Sequence, residues 1–276
     1  MGVLAPDLAA YTFTVASTFA RVSPMSPAFV VLAALPEETE AILRCIEWKP
    51  LAPTSTVFGA CYELDLGDPH DNVRRHGVLA QLAGTGRVSA AVSTVHAIHT
   101  WNPSLILIAG TAGGFQDRSV ALGDVLVATK IVDYEAQRLD GDSTIRWADY
   151  EPEASLYALA KSIRLPATQG SNAQVRFGSI LSGDKVLASK AAVEKFLGLR
   201  ADVLGVEMEG AGVAFASAKS SVPCLMIRGI ADYADDNKRN DSERWTKVAC
   251  DSVARFVRAL LERWADEAPA QTRAKR

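Results

Sequence analysis

Apolar residues in this chain come in short unbroken runs separated by segments with helical spacing. Ala28–Ala34 (AFVVLAA) and Leu105–Ala109 contain no polar residue to mark a wet face, and Cys224–Ile230 is apolar apart from Arg228. Such runs predict strands buried on both sides, as in a sheet covered by helices above and below. Further strands are expected near Thr56–Asp65, Val78–Ala83, Asp124–Val132, Phe177–Leu181 and Val203–Val206. Between them, Pro36 opens a helix, and a second begins after Gly84-Thr-Gly-Arg-Val-Ser and reaches Trp101, where Asn102-Pro103 ends it. Ala154–Ile163, Ala188–Leu197 and Glu209–Lys219 also read as helices. The last helix, about Ser242–Asp266, repeats Trp245, Val248, Ala249, Val253, Phe256, Val257, Leu260, Leu261 and Trp264 at three- and four-residue steps. That is one core-facing stripe. The fold class is therefore α/β, with a central mixed sheet flanked by helices in three layers.

The chain has 276 residues, 49% of them hydrophobic and 22% charged, enough for one large domain. We expect that domain over 28–268, preceded by a poorly ordered arm at 1–27 and followed by a disordered tail at 269–276. The arm lacks the basic start of a signal peptide. A net charge of −3 gives no broad field for nucleic acid. No apolar run approaches the ~18 residues that cross a bilayer. Cys45, Cys61, Cys224 and Cys250 are far apart, which suits free thiols in a cytoplasmic protein.

The stretch Gly84-Thr-Gly-Arg-Val-Ser nearly matches a dinucleotide fingerprint. A nicotinamide site would need an acid about 20 residues further on. Between Asp71 and Asp117 there is no Asp or Glu, and Ser89 replaces the third glycine, so that reading fails. His96 and His99 are three apart on a helix and His70 and His76 lie near a loop. No third ligand converges on either pair, so no metal is expected.

Acids cluster where three buried strands end, in Pro36-Glu-Glu38, Val206-Glu-Met-Glu-Gly210 and Arg228-Gly-Ile-Ala-Asp-Tyr-Ala-Asp235. Singly, Glu37, Glu38, Glu207 and Glu209 suit helix N-termini, and Asp232 suits a turn. Together they point to one crevice, because strand ends beside Gly-rich turns meet in an α/β fold.

The blocks VVLAALPEE, GTGRVSAA, NPSLILIAGTAGGF, ALGDVLVAT, SILSGDKVL, GVEMEGAGVA and IRGIADYAD occur in that order from Phe29 to the last helix. In these blocks the chain resembles the nucleoside phosphorylase/nucleosidase superfamily, particularly 5′-methylthioadenosine/S-adenosylhomocysteine nucleosidases. The extended last block, RGIADYADDNKRNDSERWTKVA, is also similar to phosphorylase-type domains of NACHT and NB-ARC defence proteins, some of them like ATP-cleaving nucleosidases.

The resemblance implies cleavage of a purine N-ribosidic bond, with no cofactor. Breaking C1′–N9 puts positive charge on the ribose and negative charge on the base, so an acid at N7 and a carboxylate holding water beneath C1′ are needed. By resemblance Asp232 is the N7 acid, supported by Arg228, and Glu38 activates the water. Glu209 grips the ribose hydroxyls, assisted by Glu207, while Met208 packs on the sugar. Thr111, in the turn with Ala112 and Gly113, falls near the water. The family's base-stacking aromatic falls on Val186, so base packing must be weaker or come from elsewhere. Leu187 still offers backbone groups to the purine edge, and Asp184 reads equally well as a turn residue.

Related phosphorylases carry arginines in the first loop and before the GS turn. This chain has Glu37 and Glu38 in one and Ile108 and Ala109 in the other, which favours hydrolysis over phosphorolysis. A phosphorylase and a non-catalytic nucleoside sensor are the rival readings. For a nucleotide substrate, phosphate contacts would come from Arg87, Arg239 or Arg244, with Lys238 and Lys247 beside them. The plain reading of that charged stretch is a solvated loop. Relatives are often homodimers, which implies a homo-oligomer here, most simply a dimer, acting on a small purine nucleoside or nucleotide.

Overall fold

A computed structural model describes residues 28–52, 55–66, 76–140, 142–166 and 172–273. The expected arm at 1–27, His70 and residues 274–276 lie outside the described residues. β1 (Phe29–Ala33) leads into α1 (Pro36–Cys45), and β2 (Lys49–Leu51), β3 (Phe58–Asp65) and β4 (His76–Leu82) follow. Next come α2 (Arg87–Trp101), β5 (Leu105–Gly114), β6 (Val125–Asp133) and three short strands, β7 (Gln137–Asp140), β8 (Asp142–Ile145) and β9 (Ala148–Tyr150). The second half runs α3 (Ala154–Ser162), β10 (Val175–Ser182), α4 (Lys190–Leu199), β11 (Val203–Glu207) and α5 (Gly210–Lys219). β12 (Cys224–Asp232) and α6 (Lys238–Arg273) complete it.

The main sheet is mixed, in the order β11-β10-β6-β12-β5-β1-β4-β3-β2, with β9 added beside β6. β1 shows why its sequence carries no alternation. Phe29, Val31 and Ala33 point into a core shared with α1, α3 and α6, while Val30 and Leu32 point into another shared with α2 and α5. Successive side chains of a strand face opposite ways, so a strand covered on both sides must be apolar throughout.

The sheet also closes upon itself. β5 pairs with β1 over Leu105–Ile108 and with β12 over Ile106–Gly113, and its far end meets β11 antiparallel through Gly114↔Gly205 and Gly113↔Val206. A Cβ at Gly205 would come within 2.7 Å of the Gly113 carbonyl oxygen, so this contact requires glycine. The segment Gly110–Gly114, expected as a turn after Ala109, is thus the continuation of β5. Its small residues allow neighbouring chains to approach.

Candidate active site

Four segments meet over the extended part of β5. They are the first turn of α1, the β11–α5 junction, the end of β12 with the start of α6, and the segment after β10. Between them lies a cleft of about 290 Å³, lined by Glu38, Thr111, Ala112, Gly113, Val186, Leu187, Glu207, Met208, Glu209 and Asp232, together with Ala34, Leu35, Thr85, Lys185, Val206 and Lys238. Every cleft residue expected from the sequence except Arg228 lines it, and Arg228 is fully buried behind the lining Glu207 and Glu209. No aromatic side chain lines it among the described residues, and Val186, at the expected stacking position, is 63% exposed.

Glu38 is buried and its carboxylate is fixed on both oxygens. Oε2 accepts the backbone N–H groups of Ala34 and Leu35 at 2.9 and 3.0 Å. Oε1 accepts the Thr111 N–H at 2.7 Å and the Thr111 hydroxyl at 3.0 Å. One side chain thereby ties α1 to β5. A Cβ at Gly110 would come within 2.3 Å of Arg228 Nη1 and 2.5 Å of Glu38 Oε1, so glycine there lets these groups crowd the strand.

At the β11–α5 junction the two glutamates divide their tasks. Glu207 accepts the N–H groups of Glu209 at 3.0 Å and Gly210 at 2.8 Å, capping the start of α5. It also takes a short hydrogen bond from Arg228 Nη2. Glu209 Oε2 lies 3.5 Å from the same nitrogen, and its Oε1 accepts the Gly86 N–H at 2.9 Å. The Gly-rich turn that imitates a dinucleotide motif therefore serves to hold a carboxylate. Burial raises the Glu209 carboxyl to about 7, against the pull of Arg228 and with the help of the Glu207 charge. Nε and Nη1 of Arg228 have no hydrogen-bond partner among the described residues, and Nη1 lies on the Glu38 side, both groups crowding Gly110.

Asp232 ends β12 and is 4% exposed. Its Oδ1 accepts the Ala234 N–H at 2.8 Å, an Asx-type turn that fits the left-handed φ of 56° at Ala234. Its Oδ2 accepts from Lys238 Nζ at 2.6 Å and from Ser242 Oγ at 3.1 Å. Sequence reasoning placed Lys238 among loop cations. The helix starts at Lys238 rather than near Ser242, and that first turn swings both residues onto the acid.

The other cations considered for phosphate stand elsewhere. Arg87 is engaged by Asp133 at 2.6 Å and Asp184 at 3.0 Å, strapping the start of α2 to the ends of β6 and β10. Arg239 is 91% exposed and pairs with Glu243, and Arg244 is exposed. Neither lines the cleft. Lys247 is exposed as well, and His96 packs its ring against Phe58. No helix among the described residues is long and apolar enough to cross a membrane.

The sequence profile described as Phosphorylase superfamily matches residues 28–262. The 5′-methylthioadenosine/S-adenosylhomocysteine nucleosidase of Marinomonas sp. (strain MWYL1) is 29% identical over 185 residues, covering 65% of this chain and 78% of that protein. The aminodeoxyfutalosine nucleosidase of Helicobacter pylori (strain J99) is 28% identical over 224 residues, covering 77% and 94% respectively. Among solved structures, the 5′-methylthioadenosine/S-adenosylhomocysteine nucleosidase from Neisseria meningitidis in complex with methylthio-immucillin-A aligns with a TM-score of 0.70 at 26% identity. That alignment covers 85% of this chain and 98% of the other. Profile, relatives and fold agree: the chain belongs to the phosphorylase superfamily, and the relatives it matches there are nucleosidases.

Proposed function

We propose that the chain hydrolyses the N-ribosidic bond of an adenine nucleoside, releasing free base and a ribose derivative. One observation carries this reading. Glu38, Glu209 and Asp232, each held by a different element, open onto one cleft over β5. Gly110 abuts Glu38 and Gly113 abuts Asp232. Three residues of extended strand span about 10 Å, room for a water, a ribose carbon and the purine N7 in series. In this reading Glu38, steadied by Thr111, takes a proton from water beneath C1′. Glu209 accepts from the ribose hydroxyls, and Asp232 delivers a proton to N7 as the C1′–N9 bond breaks. Arg228 holds Glu207 and Glu209 and directs its unpaired Nη1 toward the water side.

Charge in the cleft supports hydrolysis over phosphorolysis. A phosphate dianion beneath C1′ would face Glu38, Glu207 and Glu209, and the cation that reaches them, Arg228, already serves two carboxylates. An uncharged 5′ group, as in a methylthio ether, suits the cleft better than a polyphosphate. Its two lining lysines are paired, Lys185 with Glu135 and Lys238 with Asp232. ATP as the best substrate in a panel of adenosine, methylthioadenosine, S-adenosylhomocysteine, AMP and ATP would reverse this preference.

Self-association is part of the proposal. Val88, Val92 and Val95 on α2 and Phe215 on α5 are all exposed, on two helices that pack together. Such an apolar face suits a second copy of the chain. Sedimentation at micromolar concentration should give a dimer, and a monomer would rule it out.

The direct test of the acid is Asp232→Asn. It should keep the fold and lower kcat by about 10²-fold or more, the range for losing a general acid. Turnover near that of the unaltered enzyme would leave Asp232 as only the cap of a turn.

A further inference from the structure

Asp232 must hold a proton to give one to N7. A free aspartic acid, with a pKa of about 4, is almost wholly ionised at neutral pH, so a proton has to be supplied to it. Here an ammonium group sits on that carboxylate. Lys238 Nζ is 2.6 Å from Oδ2, and Ser242 Oγ reaches the same oxygen at 3.1 Å. The two residues are four apart, about one turn along the start of α6, so one helix face delivers both. The carboxylate is buried, whereas the lysine side chain is 27% exposed and lines the cleft. The pair thus places an Nζ–H group against the carboxylate on a side chain that also reaches solvent.

We propose that Lys238 is a positioning residue that supplies Asp232 with its proton. This rests on the N-glycosidase reading and adds a residue to it. As C1′–N9 lengthens, an Nζ–H bond breaks and Oδ2–H forms, then O–H breaks and N7–H forms. The electron pair of the glycosidic bond leaves with the purine. Water adds to C1′ and gives its proton to Glu38. Lys238 is left as a neutral amine and regains its proton from solvent, while Glu38 loses one, so the net reaction consumes one water.

The charges around the pair are mostly negative. Asp235 and Asp241 come from the adjoining turn and from α6 itself, and Glu38, Glu207 and Glu209 from the other walls of the cleft. Among the described residues Lys185 is the one further cation lining the cleft, and Arg244 lies beside Asp241.

The test is kcat against pH, from about 5 to about 10, for Lys238→Met and Lys238→Arg beside the unaltered enzyme. The substrate is whichever of adenosine and methylthioadenosine turns over faster. Without its reservoir, Asp232 must draw a proton from bulk water. The Met variant should therefore lose its activity on the basic side at least about one pH unit earlier, and kcat at pH 8 should fall about tenfold or more with KM little changed. Arginine keeps the charge but does not release a proton, so the Arg variant should show the same loss at pH 8. It also stands in should the Met variant fail to fold. If Lys238 only held Asp232 ionised, its removal would ease protonation. The limb would then move to higher pH with a gain in activity, which overturns the proposal. Unchanged profiles in both variants overturn it too. Asp232→Asn, run in parallel, separates the two levels. Full activity there removes the acid assignment itself, whereas its loss beside unchanged Lys238 profiles removes only the proton supply.

Discussion

Glu38 and Thr111, 73 positions apart in sequence, are joined by two hydrogen bonds to a single carboxylate oxygen, one from the threonine N–H and one from its hydroxyl. The other oxygen takes two more N–H groups from Ala34 and Leu35. All four partners donate, so no amide can replace this carboxylate without setting its NH2 against a donor.

Glu38→Gln should therefore lose both its chemistry and some stability. We expect kcat to fall by about 10²-fold or more and the melting temperature to drop with it. Thr111→Val removes only the hydroxyl and keeps the backbone bond. Its kcat should fall by about tenfold, the scale of one hydrogen bond to a charged group, with melting nearly unchanged. Steady-state rates and thermal melts of both variants check this, and wild-type kcat in Thr111→Val would contradict it.

Glu209, its carboxyl raised to about 7, gives a pH dependence with two opposite signs. The folded carboxyl holds its proton at pH values where the unfolded one, at about 4.3, has lost it. Its contribution to stability is present below the unfolded value and is lost as pH rises through about 7. The ionised form, however, is the one that accepts from ribose hydroxyls. KM should fall as pH rises toward 7 and level off above it, while melting temperature declines over the same window. Glu209→Gln should flatten both trends. A KM in the unaltered enzyme that does not vary between about pH 5 and about pH 8 would contradict the assignment.

Arg228 is the cation under the cleft, with Glu207 and Glu209 both on Nη2. Arg228→Met leaves those carboxylates buried without a counter-charge, a loss of about 3–5 kcal/mol. For a chain of this size the melting temperature should fall by about 10 °C. Adding Glu207→Gln should recover part of that loss, because one of the stranded charges is gone. Purely additive losses in the double variant would show that the network is not coupled.

The reading of sequence succeeded where burial dictates composition. The apolar runs at β1 and β5, and the one at β12 around Arg228, are strands covered on both faces as expected, and the acids that follow or end such strands meet in one cleft. It failed where tertiary pairing decides. β7, β8 and β9 lie in the stretch 137–150, which mixes polar and apolar residues without a clear period, and were not expected. The extension of β5 through Gly110–Gly114 depends on the β12 and β11 edges it meets, so a local reading of glycines gives a turn. The start of α6 carries a dense run of charges, which locally looks like a solvated loop. Only the position of Asp232 reveals that Lys238 and Ser242 turn inward. Nor does GTGR show on its face that Gly86 holds Glu209 and that Arg87 binds two aspartates.

The central claim is that water, not phosphate, takes the ribosyl group. Purified protein incubated with methylthioadenosine or adenosine in phosphate-free buffer, with products separated by chromatography, tests it directly. The account predicts release of free adenine together with the free sugar, at a rate unchanged by added phosphate. No base without phosphate, and a ribose 1-phosphate product with it, would contradict the account.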